Sequence, residues 1–255
     1  MSIENKKETV QSIDRAFLVL ETVAKSKALS VNDLHNKLGL NKASLSRIAS
    51  TLCNNGYLNR DMKTGDYSLS LRAFEVGVQA VRNLDYINLV RSILAELSNN
   101  LNAIAQFSIE DKNELLCLES FEQNSNIFSI YARMGQRTPL YSTSAGKAIL
   151  STYSNEEIIE KMQKVTLHSL TATTITDIKL LLQEIVQTRQ RGYGLDMEET
   201  EPGVFCVGTV LMNYNRKPIG AISLSTSTLP KNKEKQFSEA LLEYTQRISS
   251  LLGVA

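Results

Sequence analysis

The chain has little of the chemistry on which metal sites and disulfide-rich domains depend. Among its 255 residues there are only two histidines and three cysteines. The cysteines, Cys53, Cys117 and Cys206, have no metal-type spacing, and their odd number argues against a disulfide framework. Two histidines are too few for a histidine-rich metal site. We therefore expect no metal, no cofactor and no disulfide framework.

Long hydrophobic runs are missing as well. No apolar run approaches the roughly 20 residues that a helix needs to cross a bilayer. The first ten residues, MSIENKKETV, are polar and lack the apolar core of a signal peptide. These absences predict a cytoplasmic protein with no membrane partner.

The chain also lacks a strong net charge, which is +1 at neutral pH. The charges are unevenly placed, since residues 1–82 hold 12 lysines and arginines against 8 acidic residues, and the remainder holds 16 against 19. Such a mild split agrees with a nucleic-acid partner at the N-terminal end, but it does not prove one.

Residues 30–58 predict two helices joined by a tight turn. Ser30 and Asp33 have the spacing of a capping box at the start of the first helix. Gly39 allows the turn, and Asn41 is expected to cap the second helix. The outer face of that helix carries small hydroxyls beside cations, which suit phosphates and base edges. The stretch predicts a DNA-reading helix-turn-helix, with an ordinary helical hairpin as the alternative.

A β-hairpin is predicted directly after the second helix. Residues 57–60 and 66–69 have the pattern of two short strands around the turn 62–65. Such a hairpin is typical of a wing and favours the DNA-binding interpretation. The residues expected to contact double-stranded operator DNA are Lys42, Ser44, Ser46 and Arg47 on the helix, with Lys63 and Thr64 on the wing.

The pattern changes again after residue 84. We predict a first domain over 1–70, a linker helix over 71–84 and a second domain over 85–255. In the second domain, helices are interspersed with strands predicted at 103–109, 115–120, 127–133, 193–196, 204–212 and 218–225. Helices flanking a mainly antiparallel sheet predict an α+β domain.

Several ordered blocks, taken together, resemble the IclR family of bacterial transcriptional regulators. The blocks are residues 15–20, 56–58, 135–140, 144–150, 191–194, 198–199 and 203–208. The resemblance covers almost the whole chain. It implies a winged helix-turn-helix joined to an effector-binding domain related to the GAF and PAS folds. It also implies homodimers, often paired into tetramers, and a regulator, with repression expected, rather than an enzyme.

The resemblance places a small-molecule site in the C-terminal domain, and the residues there suit a polar ligand. Residues 142–147 end a loop and open a helix, whose free N–H groups suit a carboxylate. Period-two alternation puts serines on one face of strand 218–225. The residues expected to bind the effector are Ser144, Ala145, Gly146, Asp196, Val204, Cys206, Ser223 and Ser225.

Those residues have a second interpretation as small side chains that fill a core, and buried cysteine in particular behaves as a small hydrophobe. If they form a pocket, the expected effector is a small carboxylate such as a keto acid, a sugar acid or an aromatic acid. No arginine stands out among these positions, so the charge of the ligand stays open.

Two enzyme motifs match only in part. Ser144-Ala145-Gly146-Lys147 fits the S-x-x-K of penicillin-binding enzymes, but the S-D-N companion does not occur. The same Gly-Lys pair lacks the first glycine and the Ser/Thr of a phosphate-binding loop. Two alternatives to a ligand-responsive regulator remain: an enzyme whose winged helix only mediates assembly, and a constitutive DNA-binding protein with a filled C-terminal core.

Overall fold

The structure, a computed structural model, describes residues 9–122, 133–213 and 215–251. It divides the chain into two compact units, residues 1–84 and residues 85–255. Among the described residues, no helix has both the length and the apolarity needed to span a membrane.

The first unit is a winged helix-turn-helix, as the sequence predicted. In its described part the elements are α1 (Gln11–Ala24), α2 (Val31–Leu38), α3 (Lys42–Asn54), β1 (Leu58–Arg60), β2 (Tyr67–Leu69) and α4 (Leu71–Arg82). The strands β1 and β2 pair in antiparallel fashion, and Leu29 adds one bridge to Tyr67. The helix predicted as a linker over 71–84 is therefore α4.

Local capping fixes where the helices of this unit begin and end. Ser30 and Asp33 form the predicted capping box at the start of α2. Gly39 ends that helix with a left-handed φ of 64°, and Asn41 caps α3. The core between the helices and the hairpin consists of Val19, Val23, Leu29, Leu34, Leu45, Ala49, Leu58 and Tyr67.

The second unit combines helices with one sheet. Its described elements are α5 (Ile87–Leu101), β3 (Ile104–Asp111), β4 (Glu114–Phe121), β5 (Arg137–Pro139), α6 (Ser144–Leu150), α7 (Asn155–Gln163), α8 (Ile178–Arg191), β6 (Gly194–Met197), β7 (Phe205–Met212), β8 (Pro218–Thr226) and α9 (Lys231–Leu251). The short strand β5 was not predicted. Of the predicted strand 127–133, residues 127–132 lie outside the described residues.

The six described strands form a fully antiparallel sheet in the order β5-β4-β3-β8-β7-β6. Strands β3 and β8 are far apart in sequence but pair at the centre of the sheet, with Gln106 opposite Ser223. This pairing joins two hairpins into one surface. The observed α+β architecture agrees with the prediction from the sequence.

The sheet lies between two layers of helices, one on each face. Helix α6 contacts β6, β7 and β8 on the face that carries Ser223 and Ala221, and the core there continues into α7 and α8. Helices α5 and α9 pack together, and Tyr86 at the start of α5 contacts Phe107 with a 6.0 Å centroid distance. Because successive side chains point to opposite faces, Phe107 and its partner Ile222 belong to that other layer.

Candidate functional site

The outer face of α3 is the candidate DNA-contacting surface. Leu45 and Ala49 are fully buried in the core of the first unit, so the opposite side of the helix faces solvent. The four α3 residues predicted to approach DNA are exposed, except for one half-buried serine: Lys42, Ser44, Ser46 and Arg47. The side chains of two cations and two hydroxyl residues are thus accessible from solvent, as contacts with a DNA groove would require.

The tip of the β1–β2 hairpin presents the other two predicted residues. Lys63 and Thr64 are exposed there. The carboxylate of Asp61 accepts hydrogen bonds from both of their backbone N–H groups, at 2.7 and 3.2 Å. In the strand pair next to the turn, the Arg60 guanidinium lies 5.7 Å from the centroid of the Tyr67 ring. These contacts hold the wing tip in one conformation and leave the side chains of Lys63 and Thr64 accessible.

The second candidate site is a cavity of about 90 Å³ in the second unit. It lies between the inner face of the sheet and the N-terminal turn of α6. Two glycines allow this turn to lie directly on the strands. A Cβ at Gly194 would lie 2.2 Å from the carbonyl oxygen of Ser144, and one at Gly208 would lie 2.7 Å from the backbone nitrogen of Ala145. Any larger residue at either position would push α6 away from the cavity.

The structure brings together seven of the eight residues predicted to bind an effector. Around this cavity lie Ser144, Ala145, Asp196, Val204, Cys206, Ser223 and Ser225. The eighth, Gly146, does not line it. A Cβ at Gly146 would lie 2.2 Å from the carbonyl oxygen of Leu140, so this glycine serves the packing of α6 on the preceding loop.

The helix N-terminus is also less available to an anion than the sequence suggested. Helix α6 has only seven residues, which limits its dipole. The hydroxyl of Thr143 accepts a hydrogen bond from the N–H of Gly146 at 3.1 Å and donates one to the carbonyl of Pro139 at 2.9 Å. One of the backbone donors expected for a carboxylate is therefore already paired within the protein.

Other lining residues were missed from the sequence. They are Gln106, Ser108, Leu115, Cys117, Arg133, Gln136, Thr138, Thr143, Thr200 and Glu201. Gln106 on β3 lies opposite Ser223 on β8 in the sheet. It could have been predicted as a lining residue only if the pairing of β3 with β8 had been known. Arg133 belongs to no recognised motif, so the sequence did not indicate that it lines the cavity.

Asp196 is almost completely buried at the cavity wall. Its Oδ1 accepts hydrogen bonds from the backbone N–H groups of Glu199 at 2.7 Å and Thr200 at 3.3 Å. Both of these bonds end on one oxygen. Burial raises the pKa of Asp196, and the hydrogen bonds from the Thr200 side chain and the two N–H groups, together with the nearby Lys147, oppose that rise.

A buried ion pair lies behind the cavity. Lys147 on α6 pairs with Glu199, and the two side chains are 1% and 6% exposed. The ammonium also donates to the carbonyl of Leu195 at 2.9 Å. Burial raises the pKa of Glu199 despite the attraction of Lys147. The second carboxylate oxygen of Glu199, Oε2, is buried without a hydrogen-bond partner among the described residues.

Two cysteines line the cavity as neutral thiols. Burial raises the pKa of Cys117 to about 11 and that of Cys206 to about 12. The Sγ of Cys206 lies 3.2 Å from the hydroxyl of Ser225. Because a thiolate is the reactive form of cysteine, these groups are suited to packing and weak hydrogen bonding rather than to nucleophilic chemistry. In the described ranges, no cluster of histidine, cysteine and carboxylate groups is arranged to hold a metal ion.

A second, larger cavity of about 420 Å³ adjoins the first. The two share three lining residues: Arg133, Val204 and Ser225. Arg133 is half-buried and is the cation of both linings. Its positive charge lowers the pKa of both Cys117 and Cys206, although burial outweighs this effect, which places the guanidinium within electrostatic reach of both thiols.

Comparison with protein-family models matches both units. Residues 12–62 match the model described as the IclR helix-turn-helix domain. Residues 78–250 match the model described as the C-terminal part of the bacterial transcriptional regulator IclR. The second match alone spans more than half of the chain.

Curated relatives and a solved structure agree with this assignment. The HTH-type transcriptional regulator KipR of Bacillus subtilis (strain 168) is 30% identical over 242 residues, covering 95% of this chain and 92% of KipR. The transcriptional repressor IclR of Escherichia coli (strain K12) is 24% identical over 249 residues, covering 96% and 90%. The crystal structure of the Thermotoga maritima IclR aligns with a TM-score of 0.78 at 26% identity, over 95% of this chain and 99% of that one. The chain belongs to the IclR family of bacterial transcriptional regulators.

Proposed function

We propose that this protein is a ligand-responsive regulator in which a small carboxylate binds the cavity of the second unit and thereby changes operator binding by the first. The observation that carries the proposal is the cavity itself, a space of about 90 Å³ lined by both polar and apolar groups in a domain that could instead have been filled. In typical allostery the coupling between two such sites is about 1–3 kcal/mol.

The output of this regulator is DNA binding by α3 and the wing. We propose that Lys42, Ser44, Ser46 and Arg47 approach the major groove, and that Lys63 and Thr64 contact the DNA backbone. Their exposure on one helix face and one hairpin tip supports this assignment. Repression is the expected mode, because the Escherichia coli relative at 24% identity is named a repressor.

The input is the effector in the cavity. We propose that it contacts Ser144, Ala145, Asp196, Val204, Cys206, Ser223 and Ser225, which line the same space. A keto acid, a sugar acid and an aromatic acid are the carboxylates that the sequence left open. Gly146 is not proposed as a contact, because the space where its Cβ would lie is occupied by the backbone of Leu140.

The chain is proposed to act as a homodimer or tetramer on a partly palindromic operator. Helix α4 supports this, because none of its twelve residues, all of them described, is buried. Its apolar residues Leu71, Phe74, Val78 and Val81 recur at helical spacing, and Phe74 is 66% exposed. A second copy would cover such a stripe and present two recognition helices to two half-sites.

Particular observations count against the two alternatives. A constitutive DNA-binding protein with a filled core has no need of a polar cavity. For an enzyme, Cys206 would be the candidate nucleophile, and burial raises its pKa to about 12. A thiol with such a pKa holds almost no thiolate at neutral pH.

The test combines a ligand screen with one variant. Carboxylic acids are screened by thermal shift, because a ligand that binds only the native state raises the unfolding temperature. Operator affinity, with and without each stabilising acid, is then measured on a duplex that the protein itself selects from random DNA. The variant Asp196→Ala is expected to lose the response to the acid while keeping its affinity for DNA.

Lys164→Ala, which removes an exposed cation of the same unit, is the control and should respond as the native protein does. If no acid changes operator affinity, the regulator is not ligand-responsive in the proposed way. A normal response in Asp196→Ala would remove this carboxylate from the effector site.

A further inference from the structure

Arg133 is a cavity cation that forms no ion pair with any described residue. It lies in the wall shared by the two cavities. Within the described ranges its guanidinium makes no hydrogen bond and no ion pair, whereas the neighbouring Arg137 is paired with Asp111. A guanidinium is planar and presents donors that match a carboxylate in bidentate fashion. The wall of the cavity therefore holds a preformed partner for an anion.

The acidic residues of the lining are poorly placed to cancel this charge. Asp196 uses Oδ1 for two backbone N–H groups, and burial raises its pKa. Glu201 is exposed to solvent, where its charge is screened. Neither of these carboxylates, nor that of Glu122 in the lining of the larger cavity, forms an ion pair with Arg133, so the cation stays available to a ligand.

The remaining surface of the cavity suits hydroxyl groups. The side-chain oxygens of Ser144 and Ser223 line it without a hydrogen bond to another described residue, and Ser108, Gln106 and Thr138 add further polar atoms. The described lining contains no aromatic side chain. Its apolar surface, which exceeds the polar one, comes from Leu115, Ala145 and Val204 and from the carbon atoms of the polar residues.

The size of the cavity restricts the ligand further. A water-sized group occupies roughly 10–15 Å³ on this measure, so about 90 Å³ holds roughly six to nine of them. A benzene ring bearing a carboxylate would fill this space and would leave the serine hydroxyls without partners, which is costly for buried polar groups.

We infer that Arg133 is the specificity-determining residue of the effector site, and that the effector is a short carboxylate with hydroxyls on its neighbouring carbons, about three or four carbons in length. The carboxylate binds Arg133 at the junction of the two cavities. The hydroxyls extend along Ser223 and Ser144 toward the carboxylate of Asp196. This inference rests on the proposed function and names its ligand class.

The experiment measures binding by isothermal titration calorimetry to the full chain, using matched pairs of probes. D-Threonate and D-glycerate are compared with D-threitol and glycerol, which keep the hydroxyls but lack the carboxylate. Propionate and benzoate keep the carboxylate but lack the hydroxyls. We expect at least one hydroxy acid to bind at least tenfold more tightly than its matched polyol and than both plain acids.

The variant Arg133→Gln tests the residue. It should weaken binding of the hydroxy acid by about tenfold to a hundredfold, the range for losing a charge-assisted hydrogen bond, and leave the weak binding of the polyol unchanged. Arg133→Lys, which keeps the charge, should recover part of the loss. Lys164→Gln is the control for the loss of a cation elsewhere in the same unit. Thermal unfolding measured without ligand shows whether each variant is folded.

The outcomes separate this inference from the proposed function. Benzoate or propionate binding more tightly than every hydroxy acid, with an intact operator response, would overturn the ligand class and leave the regulator standing. Equal affinity of Arg133→Gln and the native chain for the hydroxy acid would overturn the role of Arg133. Hydroxy-acid binding that depends on Arg133 but leaves operator affinity unchanged would support the inference and refute the proposed function.

Discussion

Lys147 and Glu199 connect the two parts of the protein that shape the cavity. Lys147 belongs to α6, and Glu199 belongs to the loop that carries Thr200 and Val204 into the lining. The hydroxyl of Thr174 donates to the carbonyl of Glu199 at 2.6 Å and fixes the same loop from the other side. Because desolvating two charges is costly, the pair is better suited to fixing a unique arrangement than to adding stability.

Removing one partner of this pair should therefore be more harmful than removing both. We expect Lys147→Met to destabilise the second unit by about 3–5 kcal/mol, because it leaves the carboxylate of Glu199 buried and unpaired. The double variant Lys147→Met/Glu199→Met should be less destabilised than the single one. Urea unfolding, followed by circular dichroism, measures both free energies.

The exposed pair Lys164–Glu160 is a matched control, since its side chains are 61% and 71% exposed. Lys164→Met should cost at most about 1 kcal/mol, as is usual for a surface pair. An additive double variant at 147 and 199 would mean that the two charges do not interact in solution.

Single residues also show where prediction from the sequence ended. Asp196, Ser223 and Ser225 were predicted from the resemblance to the family, and alternation placed the two serines on one face of a strand. Arg133 was missed because its role depends on which cavity wall it reaches, and that is set by tertiary packing rather than by a local pattern. Gly146 was assigned to the ligand, but close packing against Leu140 explains it.

Among the elements, those with strong local capping were predicted best. Ser154 and Glu157 form a capping box at the start of α7, and Asp177 and Gly192 bound α8, as their residue types indicate. The strand β5 was missed because three residues are too short for an alternating pattern. It exists through pairing with β4, a non-local contact.

Helix α3 carries the exposed Arg47, so its proposed contact with DNA can be tested by a single substitution. Arg47→Ala should weaken operator binding by about 1–3 kcal/mol if the guanidinium contacts a base edge. If it contacts a phosphate instead, the slope of log affinity against log salt should become shallower by about 0.9. Fluorescence anisotropy over a salt series measures both quantities.

Arg82→Ala is the control for that experiment, because it removes an exposed arginine of the same unit at the end of α4. Its affinity and salt slope should match those of the native chain. Unchanged operator affinity in Arg47→Ala would show that α3 faces the DNA with another side than proposed.

For the whole molecule, the fold class followed from the sequence, because periodicity and turn residues are local. The cavity was predictable only in part. Its two best-predicted strands, β7 and β8, are consecutive in the chain, whereas β3 and β4 join them through a pairing between residues more than 100 positions apart. Sequence patterns identify which face of a strand is polar, but they do not determine which polar faces meet.

Assembly is the remaining property of the whole molecule, and the uncovered stripe on α4 makes it testable. Phe74→Glu places a charge at the centre of the stripe, where Phe74 is 66% exposed in the single chain. If a second copy covers this residue, burying the unpaired carboxylate is costly, and the variant should be a monomer at micromolar concentration by size-exclusion chromatography with light scattering.

Gln79→Glu adds the same charge to another side of α4 and should remain a dimer. Because two half-sites are bound together only by a dimer, Phe74→Glu should also bind the full operator about as weakly as a single half-site. A Phe74→Glu variant with the mass of a dimer would assign the interface to another surface.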